Sequence, residues 1–502
     1  MAAAHPNRWL VLLLVSSAVF LIVVDMTVLH TALPTLTREL GASASDKLWI
    51  VNAYSLVVAG LLPGAGTLGD KVGHKRMFTV GLALFGMASL VAAFSPSPAV
   101  LIGARALLAV GAATMMPATL SIIRLTFTDE KECALAIGLW GAVASGGSAI
   151  GPLIGGVLLQ SFWWGSVFLI NVPVVAAALA AALVVIPAGK GTSTTPWDFI
   201  GSLLILVGLV GLAYAIKEVA MAAPSYPAAA AMAAIGAAAL LWFARRQRGS
   251  LSPLIDFTLF ANQGFRTATL AALVSSFAVV GLALVLSQRL QLVLGYTPLQ
   301  AALFLLPASV LAFVGGPLAG WLIPRLGADR VIAAALLLAG LGVAGLFASA
   351  NAGLLPQLVF LAAYGLGAGA AMAAASHAIM SHASAEHAGM AASIEEVGIE
   401  LGGAIGVTVL GSLLAGVYSK LLVLPDNALP AAAIATARDG IDEALMIART
   451  LPADQAHQVT GAVYRAFDTA YFAALAVAAV LLIAIAVAAW RGRAYLPARA
   501  AG

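Results

Sequence analysis

The stretch Gly66-Thr67-Leu68-Gly69-Asp70-Lys71-Val72-Gly73-His74-Lys75-Arg76 is a short polar segment between two long apolar runs. A degraded copy occurs at Gly320-Trp321-Leu322-Ile323-Pro324-Arg325-Leu326-Gly327-Ala328-Asp329-Arg330. The matched positions share one offset of 254 residues and are Gly66 with Gly320, Leu68 with Leu322, Lys71 with Arg325, Gly73 with Gly327, and Arg76 with Arg330. A single constant offset indicates that one half of the chain is a duplicate of the other.

The glycines of this segment predict a tight turn, because they let one helix end and the next begin where side chains would clash. Lys71, Lys75 and Arg76 predict that the turn lies on the cytoplasmic side of a membrane. Asp70 could pair with a cation or cap a helix, and a pair formed in only one conformation would act as a latch. The alternative is an ordinary positively charged cytoplasmic loop.

The composition predicts a polytopic membrane protein, since 62% of the 502 residues are hydrophobic and only 9% are charged. Soluble domains carry about 25% charged residues. The net charge of +4 does not indicate nucleic-acid binding, because the cations are scattered over short loops. Cys133 is the only cysteine, so neither a disulfide framework nor a thiolate metal site is expected. The N-terminal segment is interpreted as a retained first span and not as a removed signal peptide.

Apolar segments of about 20 residues, the length that crosses a bilayer core, predict an all-α protein with fourteen spans. The predicted spans are 9–34, 48–68, 77–95, 98–123, 134–160, 165–187, 198–221, 226–244, 266–294, 298–323, 330–350, 355–380, 390–419 and 467–490. We expect three regions: an N-terminal six-helix bundle over 1–187, two additional helices with linkers over 188–265, and a C-terminal six-helix bundle over 266–502.

Loop charge predicts the orientation in the membrane. With the N-terminus inside, sixteen Lys and Arg residues fall in cytoplasmic loops and seven in external loops. Both termini are therefore expected in the cytoplasm. The long loop at about 422–466 would be external and contains a predicted helix over 441–450. No stretch forms a phosphate-binding loop of the Walker type, so we expect an ion gradient, and no cofactor, to supply the energy.

Charged groups inside spans are candidates for function, because burying them in lipid is unfavourable unless they are paired or reach water. Asp25 lies in the first span, predicted in the outer half of that helix, with His30 five residues later. The alternative places Asp25 in the outer headgroup region. Arg105 lies within the fourth span and cannot lose its proton, so it must meet a carboxylate, a carbonyl or water. It could relay a proton by acting on an acid that approaches it.

The fifth span is rich in glycine and contains Pro152, which predicts a helix that packs closely and bends. Its glycines Gly147, Gly151 and Gly155 recur every four residues, and Gly156 follows. Simple packing of small residues is the alternative interpretation.

The thirteenth span contains Glu395, Glu396 and Glu400. Glu396 and Glu400 are four residues apart and share a helix face. Neighbouring carboxylates in a low dielectric do not both ionise easily, so these acids are candidates for proton exchange. Solvated acids at a helix start are the alternative for Glu395 and Glu396. His377, His382 and His387 do not share a helical face, so a metal site is not expected.

Together these motifs resemble the fourteen-span drug:proton antiporters of the major facilitator superfamily, over the whole length of the chain. The Gly66–Arg76 turn resembles motif A of that superfamily, Arg105 with Gly111 its motif B, and Gly147–Gly156 its antiporter motif C. Asp25–Pro34 resembles the first-span signature of the fourteen-span group, and the segment from Trp164 to Pro173, with Asn171, its sixth-span start. The likeness is greatest to exporters of quaternary ammonium compounds of the SmvA and QacA type.

The resemblance implies two six-helix bundles with two extra central helices, and residue roles that follow the motifs. Asp25, Glu395, Glu396 and Glu400 would be proton or cation sites, and Arg105 would serve proton coupling. Asp70 would take part in the motif A latch. His30, Asn52, Tyr54 and Met115 are candidates for the substrate cavity. Asn52 stands where exporters of divalent cations tend to have an acid, and His30 where many members have asparagine.

The sequence therefore favours a monomeric, proton-driven exporter of lipophilic organic cations in the bacterial inner membrane. One rival is a transporter of the same fold that moves a neutral metabolite or an anion. A second rival, a membrane-embedded enzyme or receptor, would need a catalytic constellation that the sequence does not contain.

Overall fold

The computed structural model describes residues 7–127, 129–186, 197–221, 224–250, 253–255, 257–350, 352–382, 388–424 and 430–491. All regular elements in these ranges are helical. The first ten helices are α1 (Arg8–Leu40), α2 (Ala44–Val72), α3 (His74–Ala93), α4 (Pro98–Thr126), α5 (Glu130–Ser161), α6 (Ser166–Leu169), α7 (Asn171–Val185), α8 (Phe199–Val219), α9 (Tyr226–Arg248) and α10 (Gln263–Gln288). The remaining seven are α11 (Pro298–Leu326), α12 (Ala328–Ala348), α13 (Leu354–His382), α14 (Ala388–Leu421), α15 (Ala431–Asp439), α16 (Ile441–Ala448) and α17 (Ala453–Arg491).

The number of membrane spans agrees with the sequence. Within the described ranges, 13 helical stretches are long and apolar enough to cross a bilayer unbroken. A fourteenth span is α5, whose parts Leu139–Ser148 and Ile150–Ser161 meet at an angle of 43°. Pro152 lacks the N–H that would bond the carbonyl of Ser148, which explains a bend at this point. The all-α membrane architecture and the predicted bend are both confirmed.

Several helices extend beyond the predicted spans. The last one, α17, begins at Ala453, fourteen residues before the predicted start at 467. Its first turns carry Asp454 and other polar residues, which hydropathy does not count as membrane-spanning although they continue the same helix. The predicted helix over 441–450 is present as α16.

The two copies of the glycine turn have the same backbone geometry. Gly73 joins α2 to α3 with φ 101°, and Gly327 joins α11 to α12 with φ 82°. The N–H of Gly73 bonds the carbonyl of Gly69 at 2.8 Å, and that of Gly327 bonds the carbonyl of Ile323 at 2.8 Å. These hydrogen bonds again differ by 254 residues, so the duplication inferred from sequence extends to local structure.

The connection from α1 to α2 is short and capped at both ends. Gly41 ends α1 in the left-handed conformation with φ 62°. Ser43 then starts α2 with a capping box, in which its hydroxyl accepts from the Asp46 N–H and the Asp46 carboxylate accepts from the Ser43 N–H. The N-terminal end of α2, where Lys47 and Trp49 lie, is thereby held in place.

The chain divides into two compact units. The first comprises 1–254, 286–303 and 418–467, and the second comprises 255–285, 304–417 and 468–502. The helices α8 and α9, which the sequence assigned to a separate central region, belong to the first unit. Large apolar side chains such as Val184, 85% exposed, and Leu355, 72% exposed, cover the outside of the helices. An apolar exterior is what a lipid environment requires.

Candidate proton and cation site

Asp25 is the centre of the candidate site in the first unit. It lies near the middle of the 33-residue helix α1 and its exposed fraction is 0%. This position does not agree with the alternative that Asp25 sits among outer headgroups. Its carboxylate oxygen Oδ2 accepts a hydrogen bond from Nη1 of Arg105, which is 1% exposed, on α4. The two buried charges therefore form one ion pair.

Asn171 donates a hydrogen bond to the other oxygen of the Asp25 carboxylate. Its Nδ2 donates to Oδ1 of Asp25 at 3.1 Å and lies 3.3 Å from the hydroxyl oxygen of Ser89 on α3. Both Asn171 and Ser89 are fully buried. Asn171 is the first residue of α7, and Ile170 between α6 and α7 keeps helical backbone angles, so Ser166–Val185 is one span. Asn171 lies on the face of this span that contacts Asp25.

Arg105 makes three kinds of contact. Besides the Asp25 pair, its Nε donates to the carbonyl of Ile50 on α2 at 3.2 Å. Its guanidinium also lies over the ring of Tyr54, 4.6 Å from the ring centroid, which is a favourable cation–π distance. The sequence required a carboxylate or a carbonyl for this buried cation, and the structure provides both.

The glycines of α5 bring that helix into close contact with α1. A Cβ atom added at Gly147 would lie 3.3 Å from the Phe20 ring, and one at Gly155 would lie 2.5 Å from a Val28 methyl group. A Cβ at Gly151 would collide with the side chain of Thr27. These three contacts flank Asp25 along α1, so the predicted close packing of motif C occurs against the helix that carries the buried acid.

Gly156 points elsewhere, towards the backbone of Leu299, where an added Cβ would lie 2.7 Å from the Cα atom. Gly111 of motif B likewise lies against α3, with an added Cβ 2.9 Å from the carbonyl oxygen of Gly81. Each of these glycines therefore permits a close helix–helix approach within the first unit.

Side chains of the segment 286–293 hydrogen-bond two backbone carbonyl groups of α1 that follow Asp25. Pro34 has no N–H, so the carbonyl of His30 lacks its usual helical partner. The Ser287 hydroxyl donates to that carbonyl at 2.8 Å, and Nε2 of Gln291 donates to the Thr31 carbonyl at 3.1 Å. Gln291 belongs to a π-helical turn over Arg289–Val293. The proline in the first-span signature thus creates a binding point for another helix.

The four cavity candidates have different surroundings. Asn52 and Tyr54 are buried on α2, at 4% and 1% exposed. Met115 is 1% exposed and packs on α3, where a Cβ added at Gly81 would lie 2.5 Å from its Cγ atom. His30 is half-buried, and its Nδ1 atom has no hydrogen-bond partner among the described residues. A role in substrate binding stays a prediction for all four.

The three glutamates lie on α14 in the second unit. Glu400 is buried at 4% exposed, whereas Glu395 and Glu396 are half-buried. Ser376 of α13 hydrogen-bonds Glu395. Since α14 begins at Ala388, Glu395 and Glu396 lie about two turns inside the helix rather than at its first turn. This does not agree with the alternative of solvated acids at a helix start.

The motif A turn is held by a helix end. Nζ of Lys75 donates to the carbonyls of Leu183 at 2.8 Å and Ile186 at 2.6 Å, at the C-terminus of α7. Such carbonyls have no partner within their helix, and a cation there is favourable. Asp70 lies 3.3 Å from Nε2 of His74 and is 56% exposed at its side chain. Lys71 and Arg76 are exposed, and a Cβ atom added at Gly66 would lie 4.0 Å from the Cβ atom of Pro117, an ordinary contact distance.

The long loop contains a helical hairpin, α15 and α16, which is anchored in the first unit. Nζ of Lys47 on α2 donates a hydrogen bond to Oδ2 of Asp442 on α16, and both side chains are less than 10% exposed. The Tyr418 hydroxyl donates to the Ala437 carbonyl at 3.0 Å. Burial raises the pKa of the neighbouring Glu443 carboxyl, against the opposite effect of Lys47. The sequence contained no signal for this ion pair.

Comparisons with known proteins identify the family of the chain. The sequence profile of the Major Facilitator Superfamily matches residues 15–407. The chain is 38% identical over 485 residues to the methyl viologen resistance protein SmvA of Salmonella typhimurium, covering 96% of this chain and 98% of that protein. It is 35% identical over 486 residues to the multidrug efflux pump LfrA of Mycolicibacterium smegmatis, covering 96% and 95%.

Solved structures agree on the fold. A bacterial homologue of the human lysosomal transporter Spinster, in an inward-facing and unoccupied conformation, matches with a TM-score of 0.66 at 18% identity, covering 97% of this chain and 98% of that one. The nucleoside transporter NupG matches with a TM-score of 0.60 at 12% identity, covering 96% and 99%. The resemblance seen in the sequence is thus confirmed, and the chain is a multi-pass transporter, not an enzyme, that belongs to the major facilitator superfamily.

Proposed function

We propose that this transporter is a multidrug efflux antiporter that exports lipophilic organic cations in exchange for protons, by alternating access. Its full-length similarity to proteins named for methyl viologen resistance and multidrug efflux supports drug export. Quaternary ammonium compounds, dyes and biocides are the substrate class. The proton gradient supplies the energy, and no cofactor takes part.

The observation that carries the proposal is the fully buried carboxylate of Asp25 in the middle of a membrane-spanning helix. A charged group at such a depth is unfavourable unless a counter-charge accompanies it. Arg105 supplies one and remains protonated at all relevant pH values. A proton and an organic cation would both compete with Arg105 for the negative charge of Asp25, and so they would also compete with each other. Binding of the proton therefore releases the organic cation, and binding of the organic cation releases the proton, which is the requirement for obligatory exchange.

The glutamates of α14 are proposed as a second proton or cation site. Glu400 is buried, and Glu395 and Glu396 lie one residue apart on the same helix. A buried carboxylate requires a counter-charge, which a proton or an organic cation can supply. A site in each duplicated half is consistent with transporters built from repeats, whose sites lie near the middle of the membrane.

Transport in reconstituted vesicles tests the assignment. The purified protein is placed in liposomes with an imposed pH gradient, and ethidium movement is followed by fluorescence, with and without a protonophore. We expect Asp25→Asn, Glu396→Gln and Glu400→Gln to reduce proton-driven ethidium transport at least tenfold. Glu39→Gln is the matched control, because Glu39 is exposed on the same helix as Asp25. Equal transport by wild type, Asp25→Asn and the glutamate variants would refute the site assignment.

Export of a neutral or anionic metabolite is the alternative function. Substrate-induced proton release from detergent-solubilised protein separates the two functions. Tetraphenylphosphonium should release protons from the wild type, whereas anions and neutral sugars should not. Release by an anion and none by tetraphenylphosphonium would favour the alternative.

We further propose that the protein is a monomer in the bacterial inner membrane with both termini in the cytoplasm. The excess of Lys and Arg in the loops on one side supports this orientation. Because Cys133 is the only cysteine, a Cys133→Ser background permits single cysteines to be placed at chosen positions. A cysteine in the 422–466 loop should react with a membrane-impermeant maleimide in intact cells, and one at Arg76 should not.

A further inference from the structure

The carboxylate of Asp25 has two different partners, one on each oxygen. Arg105 occupies Oδ2 with a charged group that never gives up its proton. Asn171 occupies Oδ1 with an amide, at 3.1 Å from Nδ2. An amide can donate through Nδ2 or accept through Oδ1, depending on which end faces the neighbour. The two partners therefore respond differently when Asp25 gains a proton.

The amide oxygen of Asn171 is buried and has no hydrogen-bond partner among the described residues. In the present orientation Nδ2 of Asn171 donates to the Asp25 carboxylate and to the Ser89 hydroxyl, while Oδ1 of Asn171 accepts no hydrogen bond from the described residues. A half-turn of the amide about its last torsion would exchange the two ends. After the turn Nδ2 is the end without a partner, so the favoured orientation depends on whether Asp25 offers an acceptor, as a carboxylate, or a donor, as a carboxylic acid.

We propose that Asn171 is a positioning residue that pairs with Asp25 in both protonation states by turning its amide. With Asp25 ionised, Nδ2 donates to Oδ1 of the carboxylate. When a proton from water binds to Oδ1, a new O–H bond forms, and the turned amide accepts that hydrogen through its own oxygen. The proton returns to water when the O–H bond breaks. This inference rests on the proposed proton exchange at Asp25.

The surrounding groups permit this change. The Ser89 hydroxyl accepts from Nδ2 now and can donate to the amide oxygen after the turn, because a hydroxyl does both. Both side chains are 0% exposed, so water does not replace the missing partner. Without Asn171, one oxygen of Asp25 would be buried without a partner in the ionised and in the neutral form, which penalises both states.

The test uses two substitutions of similar size to asparagine. Asn171→Leu removes both hydrogen-bonding abilities. Asn171→Asp keeps an acceptor and, when protonated, a donor. We measure tetraphenylphosphonium-induced proton release and its pH profile on purified protein, with tetraphenylphosphonium affinity measured separately. Asn171→Leu should reduce proton release at least tenfold at every pH and change the affinity less than threefold.

Asn171→Asp should keep proton release, with its half-maximal pH raised by at least one unit, because two adjacent carboxyl groups share one proton over a wider range. Ser17→Ala is the control, because the Ser17 hydroxyl on α1 donates to the Leu14 carbonyl and takes no part in the Asn171 contacts. It should stay within twofold of the wild type. If Asn171→Leu and Asn171→Asp both match Ser17→Ala, the inference is wrong. If Asn171→Leu does not fold, the pH profile of Asn171→Asp alone decides.

Asp25→Asn separates this inference from the proposed function. If Asp25→Asn releases as many protons as the wild type, the proposed exchange at Asp25 fails. If Asp25→Asn abolishes release while both Asn171 variants behave as wild type, only the role of Asn171 fails.

Discussion

Gly151→Ala should weaken the contact between α5 and α1 and thereby disturb Asp25. The new Cβ atom would collide with the Thr27 side chain and lie 3.4 Å from the Cα atom of Val24. Thr27 does not move aside freely, because its hydroxyl donates to the carbonyl of Val23 at 2.8 Å. Overpacking of this kind destabilises proteins by about 1–3 kcal/mol.

Gly146→Ala is the matched control on the same helix, because a Cβ there meets no atom within 4 Å. Both substitutions gain the same intrinsic helix propensity of about 1 kcal/mol, so it cancels when the two variants are compared. The remaining difference of about 1–3 kcal/mol corresponds to about 5- to 150-fold in the unfolding equilibrium.

The assay is reversible unfolding of the purified variants in mixed detergent micelles, together with ethidium transport in vesicles. We expect Gly151→Ala to be the less stable variant and to transport at least fivefold more slowly than Gly146→Ala. Its pH profile of transport should also move, because Val24 is the direct neighbour of Asp25. Identical stability and transport in the two variants would refute the reasoning that motif C positions the buried acid through α1.

Three further perturbations test other contacts. Ser287→Ala should destabilise the wild type by about 1 kcal/mol, because the His30 carbonyl loses its hydrogen bond. In a Pro34→Ala background the same substitution should have almost no effect, because the N–H gained at position 34 becomes the helical partner of that carbonyl. A double-mutant cycle of unfolding free energies measures the difference. Lys47→Met should destabilise by about 3–5 kcal/mol by leaving Asp442 buried without its cation, and adding Asp442→Leu should restore most of the loss in thermal unfolding. Burial raises the pKa of Glu443, so the docked hairpin, α15 with α16, binds a proton at Glu443 more tightly than the undocked hairpin does. Docking should therefore weaken as the pH rises from the ordinary pKa of a glutamate through the raised pKa of Glu443. Hydrogen exchange over 431–448 measures this weakening, which Glu443→Gln should abolish.

The features that the sequence predicted well depend on residues that are close together along the chain. The length of each apolar run predicts a span, a proline predicts a bend, and glycines predict a tight turn or a close approach. That Arg105 must meet a carboxylate, a carbonyl or water could also be predicted, because a guanidinium in a membrane must be paired or hydrated. In each case the physical requirement is local or concerns a single residue.

The identities of the partners could not be predicted, because they depend on how distant helices pack. Asp25 and Asn171 are 146 residues apart, and Lys47 and Asp442 are 395 residues apart. Asn171 stood out in the sequence only as part of the sixth-span resemblance, and its contact with Asp25 depends on how α7 packs against α1. The early start of α17 was missed because hydropathy reports the apolar part of a helix and not its polar continuation.

The paired hairpins at Gly73 and Gly327 have a stereochemical consequence. Their φ and ψ angles, 101° and 130° at Gly73 and 82° and 147° at Gly327, lie outside the regions allowed to residues that carry a Cβ atom. Gly41 differs, because with φ 62° and ψ 35° it lies where asparagine is also accepted. An added Cβ atom of either hand would therefore deform the backbone at 73 and 327, whereas asparagine at position 41 would preserve it.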